Sequence, residues 1–339
     1  MRCIRSLFSM TARQGEITVN RTKYKNFSLK KQLVDYWMPV LSGIFLIIIQ
    51  PPFSLSFIAY LSLIPLLYSV QGRSLRGGFV SGFITGMIAH LGLVYWVVIA
   101  MNRYGGIDIF TSFSILFFLA LYMSFYTACF GLSISYLNRR VGIPFYISAP
   151  ALWAIFEYIR SFLLTGFPWS FIAHSQHKSL MLLQVVSLTG QYFISYLIVA
   201  ANCIILQALV VCFEIRHKDI IKKDKQYYAI SPSFIVYCVI IIALFASSLI
   251  YGHNRLRQSD TGSLKAAIVQ GNISQDVKWD ESFKVRTFNT YYRMTKEAGG
   301  DSDIVIWPET SMPFIFDSNP SISEPIKALT FTLKTNLLF

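Results

Sequence analysis

Several groups of residues in this chain combine types and spacings that can carry chemistry. Glu309 stands in Trp307-Pro308-Glu309-Thr310, directly after the apolar run 303–307. In open α/β sheets, functional groups collect beyond the carboxyl ends of strands, so a carboxylate placed there suits a general base. The same residue also reads as a solvated loop glutamate. Upstream lies Val269-Gln270-Gly271-Asn272, followed by Lys278-Trp279-Asp280. Gly271 lets the chain turn as it leaves a strand, and Trp279 offers a large apolar surface with one N–H donor. Without further context these are a turn and a core aromatic.

A second set sits in apolar surroundings. Glu157 and Arg160 are three residues apart within 151–164, hence neighbours on one helical face. Ionisable groups at membrane depth are costly unless they satisfy each other or line a polar cavity. A structural ion pair and a headgroup-binding site are both open readings. The loop Thr165-Gly166-Phe167-Pro168-Trp169 follows, with an interfacial aromatic at Trp169, and then His174 and His177. Two histidines at that spacing can hold a metal, but no third ligand stands nearby, so a wet loop without metal is expected. Cys3, Cys129, Cys203, Cys212 and Cys238 form no CxxC pair. Small-residue packing in helices is their expected role, rather than a disulfide or zinc framework.

The elements that position these residues follow from composition. Of 339 residues, 54% are hydrophobic and 14% charged, with a mean hydropathy of +0.50. Soluble domains carry about a quarter charged residues, so lipid is the expected main solvent. The net charge of +13 comes without any nucleic-acid-reading motif, and no nucleic-acid partner is expected. Seven runs approach the roughly 20 apolar residues a span needs: 37–50, 54–70, 77–101, 107–137, 144–164, 180–213 and 233–251. With a cytoplasmic N-terminus, seventeen Lys and Arg fall on the inner side and only Arg103 and Lys178 on the outer. The positive-inside rule then fixes the orientation and places everything after the seventh run in a periplasm-like compartment. Residues 1–36 are expected to be a basic cytoplasmic leader, 37–252 the transmembrane domain and 253–339 an outer domain.

That outer tail changes period. Residues 266–270 read as a buried strand, 281–298 as a helix, 303–307 as a second strand, 325–334 as a helix and 336–339 as the start of a third strand. Strand, helix and strand at this spacing suggest a βαβ unit.

In this order the pieces resemble bacterial apolipoprotein N-acyltransferases. The carriers are Pro51-Pro52-Phe53 and Pro65-Leu66-Leu67; Ala151-Leu152-Trp153 through Glu157, Arg160 and Gly166-Phe167-Pro168-Trp169; and the Val269, Lys278 and Trp307 motifs quoted above. The resemblance covers roughly residues 36–339. It implies an α-helical polytopic membrane domain of about seven spans, followed by an incomplete α/β nitrilase-like (αββα) domain. It further implies an inner-membrane enzyme with no cofactor. Its acyl donor would be a phospholipid, and its acceptor the α-amino group of the diacylglyceryl-modified N-terminal cysteine of an apolipoprotein. Family members use a Glu–Lys–Cys triad, in which Glu309 matches the general base. Trp279, Glu157, Arg160 and Trp169 are implied to bind substrate.

The chain departs from the family beyond Glu309. No cysteine follows Cys238, and Lys327 and Lys334 come too soon for the triad lysine. The thiolate is the acyl carrier in such covalent catalysis. The expectation is therefore a truncated chain, inactive alone, or one half of a split enzyme whose complementing C-terminal fragment supplies Lys and Cys. The alternative is a non-catalytic lipid- or lipoprotein-binding membrane protein.

Overall fold

The computed structural model describes residues 29–216, 231–258, 262, 264–276, 278, 280–309, 311–312 and 318–339, without the side chains of 29–35, 213–216 and 281. Most of the basic leader, the basic loop 217–230 and Trp279 therefore lie outside the described residues. The chain divides into two compact units, Met1–Leu256 and Arg257–Phe339.

The described part of the first unit is helical. Helix α1 (Leu29–Ile48) runs into the Pro51-Pro52 corner, whose peptide bond is cis. A 3-10 turn (Ser56–Tyr60) and α2 (Ile64–Val70) follow. The 54–70 run is thus two pieces rather than one span. Pro65 explains the second start, since it lacks an N–H and suits a first helical turn. Helix α3 (Leu75–Leu93) is capped by Ser74, which accepts from the Gly77 N–H. Helix α4 (Trp96–Ile99) continues as a wide turn through Tyr104 and is bent 41° from α3. Helix α5 (Ile109–Tyr136) is capped by Asp108, and α6 is Phe145–Arg160. The 180–213 run also breaks, into α7 (Leu180–Leu183), α8 (Val186–Thr189) and α9 (Gln191–Arg216). The break before α9 falls at Gly190, where φ is +70°. Helix α10 (Pro232–Arg257) ends the unit.

Seven apolar runs therefore do not become seven long helices. Among the described residues, Ile109–Val141, Gln191–Cys212 and Pro232–Arg257 are long and apolar enough to cross a membrane, with the bent α3–α4 pair as a fourth if counted as one span. Helix α10 leaves Ile235, Val239, Ile242 and Ile250 exposed, as a helix apolar all round does when lipid surrounds it.

Packing in this unit relies on small residues and buried amides. Helices α3 and α5 meet along Gly78, Gly82 and Gly86, opposite Gly131, Thr127 and Ser124. A Cβ at Gly82 would overlap the Thr127 carbonyl, so the backbones approach as closely as in small-xxx-small membrane pairs. Asn202 of α9 donates to the carbonyls of Ala59 and Ile198 at 2.9 and 2.8 Å and accepts from the Leu63 N–H at 2.9 Å. One buried amide thus ties the broken 54–70 segment to a long helix.

The second unit is a parallel three-stranded sheet in order β1 (Ala266–Ile268), β2 (Ile304–Ile306), β3 (Asn336–Leu338). Parallel neighbours need crossovers, supplied by α11 (Lys284–Gly299) and α12 (Pro320–Leu333). Helix α11 buries Thr287, Tyr291, Thr295 and Gly299, a stripe at steps of four. The core holds Val269, Tyr291, Val305, Trp307, Ile322 and Ile326, with Ala267 and Leu337 packed against it. Side chains alternate across a strand, so the opposite sheet face carries Ile268 and Leu338, which are 82% and 56% exposed. Among the described residues the sheet is helix-covered on one side and bare on the other.

Candidate functional site

In the first unit, Glu157 and Arg160 lie on α6 and are 5% and 6% exposed. They do not spend their hydrogen bonds on each other. Glu157 Oε1 accepts from the Trp153 indole N–H and from the Ile172 backbone N–H, both at 2.8 Å. Arg160 Nη1 lies 2.9 Å from His90 Nε2 on α3, and Nη2 donates to the Trp169 carbonyl at 3.1 Å. The guanidinium carbon stands 4.6 Å from the centroid of the Phe171 ring, within cation–π range. Of the two open readings, a direct ion pair is not what these groups form.

Their partners belong to the loop that carries Trp169. This loop is unusual in its backbone: Leu164, Thr165 and Ser170 have φ of 52°, 71° and 51°, and Gly166 has 76°. Positive φ at a non-glycine residue costs about 1–3 kcal/mol and persists only where surroundings impose it. They do so here from helices α3, α5 and α6 and from the corner after α1. Gln50, just past α1, donates to the Phe171 carbonyl at 2.9 Å, and Tyr122 on α5 to the Leu163 carbonyl at 2.8 Å. His90 on α3 and the α6 pair complete the set. Gly166 is required twice, by its φ and because a Cβ would overlap the Ser161 carbonyl.

Two openings meet at this loop. A narrow cavity of ≈ 40 Å³ is lined by His90, Tyr126, Trp153, Glu157 and Arg160. A wider cleft of ≈ 480 Å³ is lined by Pro51, Pro52, Phe53, Trp96, Trp169 and His177. Gln50, Leu93 and Ser170 belong to both. Trp169 is 49% exposed, and its ring centroid lies 5.1 Å from that of Trp96. His174 donates through Nε2 to Gln191 Oε1 at 2.7 Å, while His177 Nδ1 is 3.3 Å from the His174 carbonyl. The sequence motif thus brings Glu157, Arg160 and Trp169 to one place. It gave no notice of His90, Gln50 or Trp96, although His90 is the one residue of the run 77–101 that can carry a positive charge.

In the second unit Glu309 follows β2 at its carboxyl end and is exposed. Lys278 Nζ reaches the Glu309 carbonyl at 3.3 Å, so the Lys278 and Trp307 motifs meet. Trp307 is buried, donates to Thr295 Oγ1 at 2.8 Å and stacks 5.0 Å from Tyr291. Burial pushes the Tyr291 hydroxyl up from its ordinary pKa. Asp280 is held below the usual carboxylate range by the Ser282 hydroxyl and backbone N–H.

Comparison with known proteins points one way. The profile of the apolipoprotein N-acyltransferase N-terminal domain matches residues 42–204. An apolipoprotein N-acyltransferase of Geobacter metallireducens is 36% identical over 89% of this chain and 56% of its own length. Those of Pasteurella multocida and Wigglesworthia glossinidia brevipalpis are 26% and 30% identical over 85% and 68% of the chain, and 52% and 42% of their own. The chain therefore spans about half the length of the relatives it matches. Within that span, the likeness to the Geobacter protein is extensive enough to take in most of both units, and the chain belongs to the apolipoprotein N-acyltransferase family.

Proposed function

We propose that this chain is the membrane platform and the front of the catalytic head of an apolipoprotein N-acyltransferase. The reaction moves an acyl chain from a phospholipid ester to the α-amino group of a diacylglyceryl-modified N-terminal cysteine. A cysteine thiolate attacks the ester carbonyl, the lysophospholipid leaves, and a thioester forms. The lipoprotein amine then attacks the thioester, an amide forms, and the thiol is regenerated. Glu309 is the general base that takes the proton in each half. By the family resemblance Trp279 is a substrate-binding residue of the head, and Glu157, Arg160 and Trp169 form the binding region of the membrane platform. In this reading seven segments traverse the inner membrane, with residues 1–36 cytoplasmic, 37–252 in the bilayer and 253–339 periplasmic.

The observation that carries the reading is the likeness over 89% of the chain, which is too long to be confined to the helical unit Met1–Leu256. The one-sided sheet supports a nitrilase-like head, because an αββα sandwich is made of sheets covered by helices outside and by each other inside. In this reading these 339 residues supply neither the nucleophilic cysteine nor its lysine: no cysteine follows Cys238, and Lys327 and Lys334 come too soon after Glu309. The purified chain given labelled phospholipid is therefore expected to form no thioester; a hydroxylamine-labile adduct would contradict this. Co-expression with the C-terminal half of the Geobacter metallireducens relative is expected to restore acyl transfer, and Glu309→Gln to abolish it. Transfer that survives Glu309→Gln overturns the base assignment. Lipid binding without any transfer in the reconstituted complex favours the non-catalytic, lipid-binding alternative. A periplasmic reporter fused after Phe339 should be active; a silent but expressed fusion overturns the topology.

A further inference from the structure

We propose that His90, Arg160 and Glu157 form a main-chain clamp that sets the path of the loop bearing Trp169, with His90 acting as an obligate hydrogen-bond acceptor. The inference deepens the proposed binding region around Trp169 and rests on that reading only for what the cleft between Trp96 and Trp169 holds. A guanidinium has N–H donors and no acceptor. Across the 2.9 Å contact Arg160 Nη1 therefore donates and His90 Nε2 accepts. An imidazole that accepts through Nε2 carries its one proton on Nδ1 and is neutral. With one end of the fork fixed on α3, Nη2 is aimed at the Trp169 carbonyl.

Glu157 makes the complementary contact. Its carboxylate accepts from the Ile172 N–H, giving an acceptor to the first amide of the 3-10 turn Ile172–Gln176, whose preceding residue offers no side-chain cap. A cation grips a carbonyl and an anion grips an amide. The two gripped residues, Trp169 and Ile172, are three apart, as are the two charged residues on α6. The cavity between them, ≈ 40 Å³, has room for about three water molecules and not for a phosphodiester headgroup. Within that binding region Glu157 and Arg160, with His90, act by positioning, and Trp169 is the side chain they place.

The test uses the full chain in lipid nanodiscs. With selectively ¹⁵N-labelled histidine, wild-type His90 should show a neutral ring protonated on Nδ1 at pH 7. A ring protonated on Nε2, or on both nitrogens, overturns the acceptor role. With 5-fluorotryptophan, the Trp169 resonance, identified by its loss in Trp169→Phe, should move or broaden in His90→Leu. Amide exchange over 167–172 should rise about tenfold, the scale of losing a charge-assisted hydrogen bond, while the Trp307 resonance stays in place. His90→Gln, whose amide oxygen can accept from Arg160, should restore both readouts. A silent His90→Leu, or a His90→Gln no better than His90→Leu, shows a ring that only fills space and ends the proposal. If His90→Leu does not fold, the tautomer measured on the wild type decides alone. Quenching of Trp169 by brominated phospholipid tests the cleft separately: no quenching with an intact clamp removes the lipid role and leaves the clamp standing.

Discussion

The two units treat their polar residues in opposite ways. In the helical unit, Glu157, Arg160 and His90 are buried and their hydrogen bonds go to other parts of the protein. In the sheet unit, Glu309 is exposed, and its own backbone carbonyl is the group that a neighbour contacts. The difference follows from the surroundings. Among lipid-facing helices a charge without protein partners is too costly to keep, so a residue that looks like chemistry becomes part of the scaffold. At the end of a strand the solvent satisfies a carboxylate without help, and the residue stays available.

Substitutions can break or sharpen this contrast. The largest effect is expected from Glu157→Leu, which leaves Arg160 without its counter-charge and strands two buried N–H groups. Its cost should be about 3–5 kcal/mol, read as lost thermal stability in detergent. A change below about 1 kcal/mol would mean that the helical unit is as forgiving as the sheet. Gly166→Ala should cost about 2–3 kcal/mol through its positive φ and the crowding of the Ser161 carbonyl. Hydrogen exchange should place that loss at the loop, whereas uniform loss across α3 and α5 would argue against local strain. In the sheet unit, Trp307→Phe removes the indole donor to Thr295 and should cost about 1–2 kcal/mol, seen by chemical denaturation. Ile268→Lys should be nearly neutral, within about 0.5 kcal/mol, on a bare face. In the complex reconstituted with a relative's C-terminal half the same change should be severe, because a second layer would bury the lysine. Equal tolerance in both would remove the sandwich from the reading of the head.

What was legible in the sequence divides along the same line. In the tail, short runs bounded by turn residues placed the strands at 266–270, 303–307 and 336–339, and they form as Ala266–Ile268, Ile304–Ile306 and Asn336–Leu338. The last helix starts earlier than 325, at Pro320, where a proline suits the first turn, and it carries Pro325 inside it. In the helical unit, apolar runs overstated continuity. Hydropathy does not register the positive φ of Gly190 or the Pro65 start of α2, and each interrupts a run. Glu157 and Arg160 could be paired on one face from their spacing, but their true partners could not. His90 is 70 positions from Arg160, Gln50 is 121 from Phe171, and such meetings are decided by helix packing rather than by any local pattern.

The grip of α6 on the loop is a grip on peptide groups. Arg160 holds the Trp169 carbonyl and Glu157 the Ile172 amide, and every amino acid but proline offers both. The trajectory of the loop is thus independent of the rings it displays, provided Gly166 remains. A lineage can exchange Phe167 or Trp169 for other side chains and so retune what the cleft admits, while inheriting the same scaffold unchanged.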